Sequence, residues 1–538
     1  MQRRQWSYFI LITSFACIVV ATLSPFKFSL PENLSPQSIL SNFHHTSYIK
    51  DYSRNIILFI PFGGGLASVL SPNNYKRSTI LIIALATSLG LSFSVELIQS
   101  FLAVRISNLT DVATNALGGL FGAALYSWRQ LLIPFIRAVI QINGDHLTIK
   151  SLLLAFTSFF TLICVAILAL LMSANLNNWN DDFNLSIGNE STGNRPWQGY
   201  MSNLHIIDRA LDSNSIAKAF SEKNKFFAQL PNLVVSLVAT PDGKGNIGFD
   251  RQVPSLLWQG AMSSDNTDKL SKKLSEQSSV VINAGIQQEQ RVFIGHDRWL
   301  KTKESVASIN SQLRKTNEFT LSTVVAADQI KQNGLARIIS ISKNPFDRNL
   351  TLGQNGKDLG LRLRTPITGE NGTEPEFIIP NVFKDKNSHQ ILITFAHQTL
   401  NFYIDRLENK YTFKFEPDIT FPSYYPGPIK NWQINLKDFS KLKYQIAFYS
   451  ISLIPLGFLG GLLSSLLKVK NHWTVWWLLS ICLLPALLIE HLSVITSNQP
   501  VRVFNLLLSM AILSTTVLIT HIFCFKRLSA QYSSTNNF

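Results

Sequence analysis

Charge is what this sequence has least of. Only 15% of its 538 residues are Asp, Glu, Lys or Arg, whereas 46% are hydrophobic. That balance excludes an ordinary soluble protein of this length and leaves room for a membrane part plus a separate folded domain. Cysteine is scarce too. Cys17, Cys164, Cys482 and Cys524 lie in or beside apolar runs and none falls in the polar middle, so neither a disulfide framework nor a zinc site is expected. No Gly-rich phosphate loop and no His pair at metal-ligand spacing occurs, so no cofactor and no metal is expected. Acids are outnumbered by bases, giving a net charge of +15. The Lys and Arg cluster beside apolar runs, which reads as topology anchoring at a membrane rather than nucleic-acid binding.

Eight apolar runs are present. The first, Ser7 to Pro25, follows Arg3 and Arg4 and is taken as a retained helix, since no A-x-A-like cleavage site follows it. Asn55–Leu70, Ser78–Leu97, Val112–Trp128 and Leu152–Ser173 come next, and Lys443–Leu467, Trp473–Val494 and Val503–Phe525 close the chain. Each is roughly long enough to cross a bilayer. Pairs of basic residues (Arg3/Arg4, Lys76/Arg77, Arg129/Arg137, Lys468/Lys470, Lys526/Arg527) mark alternate ends. The positive-inside bias makes those ends cytoplasmic, with both termini inside and the long polar middle outside, in the plasma or inner membrane. In that middle, β-branched and aromatic runs alternate with polar residues: Phe319–Val325, Leu335–Ser342, Gln390–Ala396 and Thr399–Asp405. These read as strands of an antiparallel sandwich. The expected fold is a multi-pass α-helical membrane protein with an inserted all-β domain: 1–173 membrane, 174–441 sandwich, 442–538 membrane.

The stretch from Ser92 to Leu125 organises the rest. Glu96 and Gln99 end one apolar helix at i, i+3 spacing; Asp111 and Asn115 open the next at i, i+4, so each pair shares a helix face. Asp51 and Asn55 share the second spacing if a helix begins there. Arg105 is the loop cation among Asp51, Glu96 and Asp111, and an Arg–carboxylate pair is the expected way to hold such charges at a membrane boundary. Ionisable groups there are costly and point to function. The blander reading is a charge-paired cluster that only locks helix ends. Gly118, Gly119, Gly122 and the run Pro61–Gly65 are read as packing devices, because small residues let membrane helices approach closely.

The spaced pattern N-x-x-x-F-x-P-F-G (Asn55–Gly63) followed by E-x-x-Q-x-F-x(3)-R-x(5)-D-x(3)-N-x-x-G (Glu96–Gly118) resembles the VanZ-like family over roughly Trp6 to Ser127. The resemblance implies a small multi-pass membrane region and envelope biology, since the family's founding member is linked to teicoplanin (glycopeptide) resistance. It supplies no reaction. It carries over Asp51, Asn55, Glu96, Gln99, Arg105, Asp111 and Asn115 as the family's polar positions, with roles unassigned.

The last three apolar runs echo the second to fourth. Ile60–Leu70 matches Ile454–Leu466, and Pro61 stands as far from Glu96 as Pro455 from Glu490. Arg105 and Asn115 are matched to Arg502 and Asn505 across a shorter loop; Gln445 and Tyr449 stand where Asp51 and Asn55 would be, and no carboxylate answers Asp111. On this reading the halves form a parallel repeat, as in some transporters, with Glu490, His491 and Arg502 as a degenerate second cluster.

Phe183–Leu211 resembles the closing strands, and Phe319–Phe413 the opening and middle strands, of laminin-G/concanavalin A-like jelly rolls. That order suggests a circularly permuted or differently wired sandwich. Such folds host lectins, hydrolases and spacers, so they do not give function. Trp197 is read as core before sugar platform, and Asp181, Asp182 and Asp208 as surface acids before calcium ligands. Three functions remain: binding an envelope component or glycopeptide from outside, transport on the repeat, and modification of a lipid-linked or cell-wall substrate with Glu96 or Asp111 as base and Arg105 as anion clamp. No nucleophile or metal cluster accompanies that base, so catalysis ranks last. The expected partners are membrane lipids and a cell-wall or lipid-linked glycan or glycopeptide.

Overall fold

Eight helices form where the apolar runs lie. In this computed structural model the described residues are 2–23, 26, 49–73, 75–101, 108–130, 148–241, 247–251, 256–260, 290–332, 334–425, 432–466, 472–497 and 500–535. The helices are α1 (Gln2–Leu23), α2 (Ile49–Leu70), α3 (Arg77–Gln99), α4 (Leu109–Ser127), α5 (Ile149–Ser173), α6 (Leu442–Leu466), α7 (His472–Ser497) and α8 (Val503–Thr535). Six of them, all but α4 and α7, are long and apolar enough to cross a membrane among the described residues. The α4 helix falls short because Asp111 and Asn115 dilute its first turns, and the described side chains of α7 form the apolar stretch Ser480–Ile495. The chain is a membrane protein.

It divides into two compact units: Met1–Met172, Pro417–Pro428 and Lys441–Phe538 in one, Ser173–Glu416 and Ile429–Ser440 in the other. The segment Pro417–Pro428 therefore packs with the helices, although it follows the last strand of the second sheet and lies inside the stretch expected to be β.

Close approach of α2 and α4 needs glycine. A Cβ built on Gly63 would lie 1.8 Å from the Gly119 carbonyl oxygen, and one on Gly122 would lie 2.0 Å from that of Ile60. Backbone carbonyls cannot step aside, so these glycines are required where the two helices cross. The pair α6 and α8 crosses at the same places with more room: a Cβ on Gly457 would meet Thr516 Cβ at 2.8 Å and the Leu513 carbonyl at 3.2 Å. Each pair is backed by one more helix. Ile18 and Leu23 of α1 pack with Phe59, Phe62 and Val95. Ile163, Ile167 and Leu171 of α5 pack with Leu453, Leu456 and Ile489. The shift that carries Pro61 to Pro455 carries Phe59, Phe62 and Val95 onto Leu453, Leu456 and Ile489.

The other unit is a two-sheet sandwich, with eight strands per sheet among the described residues. The strands expected from the sequence form as Phe319–Ala327, Ala336–Asn344, Ser388–Ala396 and Thr399–Ile404. The early segment is central rather than peripheral. Asn184–Ile187 lies between Ala336–Asn344 and Trp299–Thr302, and Gly199–Ile207 lies between Phe319–Ala327 and Leu233–Pro241. Pairing is antiparallel among the described strands except where Glu376–Ile379 meets Gln433–Asn435. Stacked rings of Phe319 and Phe395, with centroids 5.9 Å apart, and buried Trp197 mark the core.

Candidate functional site: the polar ends of two helix triplets

The α2 helix begins at Ile49, early enough to carry both Asp51 and Asn55 in its first turns. Those turns, the end of α3 and the start of α4 therefore bring Asp51, Asn55, Glu96, Gln99, Asp111 and Asn115 to one end of the N-terminal triplet; Arg105 lies outside the described residues. Glu96 is only 2% exposed. Its Oε2 accepts the Asn108 backbone N–H at 2.8 Å, so this carboxylate caps the turn that starts α4. Anionic groups at a helix start are favoured by the orphan N–H groups there. Asn108 supplies the ordinary N-cap, accepting the Thr110 N–H at 3.0 Å.

Neighbouring polar residues tie the helices in pairs. Asn115 Nδ2 donates to Ser92 Oγ at 2.8 Å (α4 to α3), Asn55 Nδ2 to Thr114 Oγ1 at 3.2 Å (α2 to α4), and Gln99 Nε2 to the Thr22 carbonyl at 2.9 Å (α3 to α1). The Oδ1 of buried Asn115 has no partner among the described residues. Asp51 pairs with Arg54 at 3.2 Å, a cation the sequence pattern passed over.

The C-terminal triplet repeats the central feature. Glu490, 4% exposed, accepts the Arg502 backbone N–H at 2.7 Å, and as with Glu96 the donor lies 12 residues downstream. That bond fixes the register. The shift that carries Glu96 to Glu490 carries Asn108 to Arg502, Asp111 to Asn505 and Asp51 to Gln445, with connecting loops of equal length. On that register Arg502 falls at the position of Asn108 and not of Arg105, and Asn505 at that of Asp111 and not of Asn115. The gap inferred from the sequence served only to align two arginines.

His491, grouped with Glu490 and Arg502 from the sequence, is exposed, because adjacent residues on a helix face different ways. What joins the pair instead is Asp418, from the short helix Pro417–Thr420. Asp418 is 1% exposed. Its Oδ2 accepts from Gln445 Nε2 and Asn505 Nδ2, both at 3.1 Å, and its Oδ1 from Arg502 Nη1 at 3.4 Å. Arg502 Nε also donates to Glu490 Oε1 at 3.1 Å, and Gln445 Nε2 to Asn505 Oδ1 at 2.8 Å. So a carboxylate does enter this second cluster, from outside its three helices. Two amides stand where the N-terminal triplet has two carboxylates, and they donate to an acid supplied by the chain itself. Sequence reasoning missed Asp418 because it sat in the stretch assigned to the sandwich; the signal was Gln445 in the place of Asp51.

In the sandwich, Trp197 is fully buried and its Nε1 donates to Gln354 at 2.9 Å, which makes it core. Asp181 pairs with Arg314 at 2.8 Å and Asp208 accepts from Gln312 at 2.7 Å. No group of three or more His, Cys, Asp or Glu able to hold a metal occurs among the described residues. Arg348 is wholly buried with no partner among the described residues on any guanidinium nitrogen, and burial beside Arg337 and Arg362 pulls it down to about 9.

Residues 6–133 match the VanZ/LLP1 family model. Over 94 residues the chain is 36% identical to "Protein VanZ" of Enterococcus faecium, a stretch covering 18% of this chain and 51% of that protein. The chain thus spans about half the length of the curated relative it matches. No solved structure matches it. The N-terminal helices, with Glu96 bonded to the turn that opens α4, are a VanZ-like membrane region.

Proposed function

We propose that the polar end of α2, α3 and α4 recognises an envelope component at the outer face of the cell membrane, and that through it the protein contributes to glycopeptide or lipoglycopeptide resistance. The observation that carries this reading is Glu96, a carboxylate 2% exposed, set among polar side chains from three helices. Burying such a group is costly, and its retention points to a task. The outer placement rests on the basic residues Lys76, Arg77 and Arg129 at the opposite ends of the same helices. Residues 1–173 are read as a VanZ-like membrane domain and 442–538 as a membrane part that repeats its second to fourth helices, with the sandwich inserted on the outer side as a glycan- or protein-binding module of concanavalin A/laminin-G type.

A second reading, transport on a parallel repeat, is favoured by the matched bonds of Glu96 to Asn108 and Glu490 to Arg502. The test is susceptibility. Glu96→Gln and Arg105→Ala, expressed separately at normal membrane levels in a susceptible host, are expected to abolish any protection against lipoglycopeptides that the natural chain gives. Unchanged protection would reduce the cluster to a helix lock. Uptake of labelled lipoglycopeptide into vesicles separates binding from transport.

A further inference from the structure

The other end of the N-terminal triplet carries a cavity. It holds about 170 Å³ between the end of α2, the start of α3 and the end of α4, and Ser71, Tyr75, Arg77, Tyr126, Ser127 and Arg129 line it over a floor at Ile80. By the same measure one water needs roughly 10–15 Å³, so there is room for a tetrahedral anion and several waters.

Four observations give the cavity its chemistry. First, it holds two guanidinium groups, and no acidic residue occurs in the sequence between Asp51 and Glu96 or between Asp111 and Asp145. Among the described residues neither Arg77 nor Arg129 is in an ion pair. Second, Arg129 is held in place: its guanidinium lies 3.9 Å from the Tyr126 ring centroid, and Nη1 donates to the Tyr126 carbonyl at 2.9 Å. Third, the Ser127 Oγ is buried with no partner among the described residues, although its residue is only 9% exposed. A buried hydroxyl without a partner is a donor awaiting an acceptor. Fourth, Lys76 precedes α3 without giving it a side-chain cap, and the first N–H groups of this 23-residue helix point toward the same end. Basic residues at a helix end are ordinarily topology anchors. A partly open cavity with an unpartnered hydroxyl is more than an anchor.

We propose that this cavity binds a phosphate group, presented by the headgroup of an anionic lipid or as free phosphate, with Arg77 and Arg129 as the charge partners and Ser127 as a neutral donor. The proposal does not depend on what the opposite end of the triplet recognises.

The full chain, purified and stripped of lipid, is offered equimolar phosphatidylglycerol and phosphatidylcholine, and retained lipid is read by native mass spectrometry. Phosphatidylglycerol is expected to be preferred. Arg77→Gln and Arg129→Gln should each cut that preference roughly fivefold. Lys150→Gln, at the exposed start of α5, should leave it unchanged. Ser127→Val, which fills part of the cavity without touching either charge, should weaken retention as well. Inorganic phosphate that raises the melting temperature and displaces the lipid points to free phosphate as the natural occupant, and its failure to do either points to the headgroup. Absence of both the lipid preference and the phosphate-dependent melting shift in the natural chain, or equal loss on Lys150→Gln and the arginine variants, overturns the proposal. Because the natural chain alone must show the preference or the phosphate-dependent melting shift, a variant that fails to fold does not rescue it.

Discussion

The two helix triplets present the same carboxylate at the same place and surround it with opposite chemistry. Glu96 and Glu490 each accept the backbone N–H 12 residues on. Around Glu96 the shifted positions are acids, Asp51 and Asp111; around Glu490 they are amides, Gln445 and Asn505, which donate to Asp418. The difference teaches that the framework tolerates either sign. Helix crossing and the capping carboxylate hold the end together, and the flanking residues are then free to specialise. In the C-terminal triplet they bind a segment of the chain, which is structure. In the N-terminal triplet the same positions are acids, and Asp51 pairs with Arg54 of its own helix; the proposed ligand belongs to that end.

The comparison can be broken by substitution. The largest effect is expected for Asp418→Ala. It strands Gln445, Asn505 and part of Arg502 in a buried cluster, and breaking a buried charge pair from one side costs about 3–5 kcal/mol. Thermal unfolding in detergent should show it, whereas Asp111→Ala, at a half-buried position, should cost less. Next comes Gly63→Ala. Its methyl would fall on a backbone carbonyl, so overpacking of about 3 kcal/mol or outright loss from the membrane is expected, while Gly457→Ala, with more room, should cost about 1 kcal/mol. Quantitative blotting of membranes checks both. A smaller effect is expected for Glu96→Gln, which keeps an acceptor for the Asn108 N–H and loses charge assistance to that bond, about 1 kcal/mol. Its melting temperature should fall slightly while protection disappears. Smallest is Arg348→Met in the sandwich, an internal reference far from these ends in sequence: replacing a buried, unpartnered guanidinium by an apolar chain should be neutral or stabilising by about 1 kcal/mol in thermal unfolding. A large loss there would mean that the guanidinium has a partner.

Much of this was legible in the sequence. The apolar runs marked the helices, and alternation in runs such as Phe319–Val325 marked the strands, because burial on one face leaves a period that composition displays. The spacing of Glu96, Gln99, Asp111 and Asn115 placed them at one end of a triplet because helix geometry fixes i, i+3 and i, i+4 neighbours. The bond that unites the two triplets was not legible. Its donor is a backbone N–H, which carries no residue identity, so Asn108 and Arg502 looked unrelated and two arginines were aligned instead. Asp418 was hidden for another reason. A single acid just past the last strand of a sheet gives no pattern of its own, and only the amides that receive it reveal where it goes.

The central claim is that the flanking residues, set on a common framework of helices and capping carboxylate, decide what each end binds. The most direct measurement exchanges them. A chain carrying Asp51→Gln and Asp111→Asn gives the N-terminal end the amides of the C-terminal one, and its lipoglycopeptide susceptibility is compared with that of the natural chain at matched membrane levels and melting temperature. The account predicts a normally folded protein that no longer protects; protection retained in full by that double variant would contradict it.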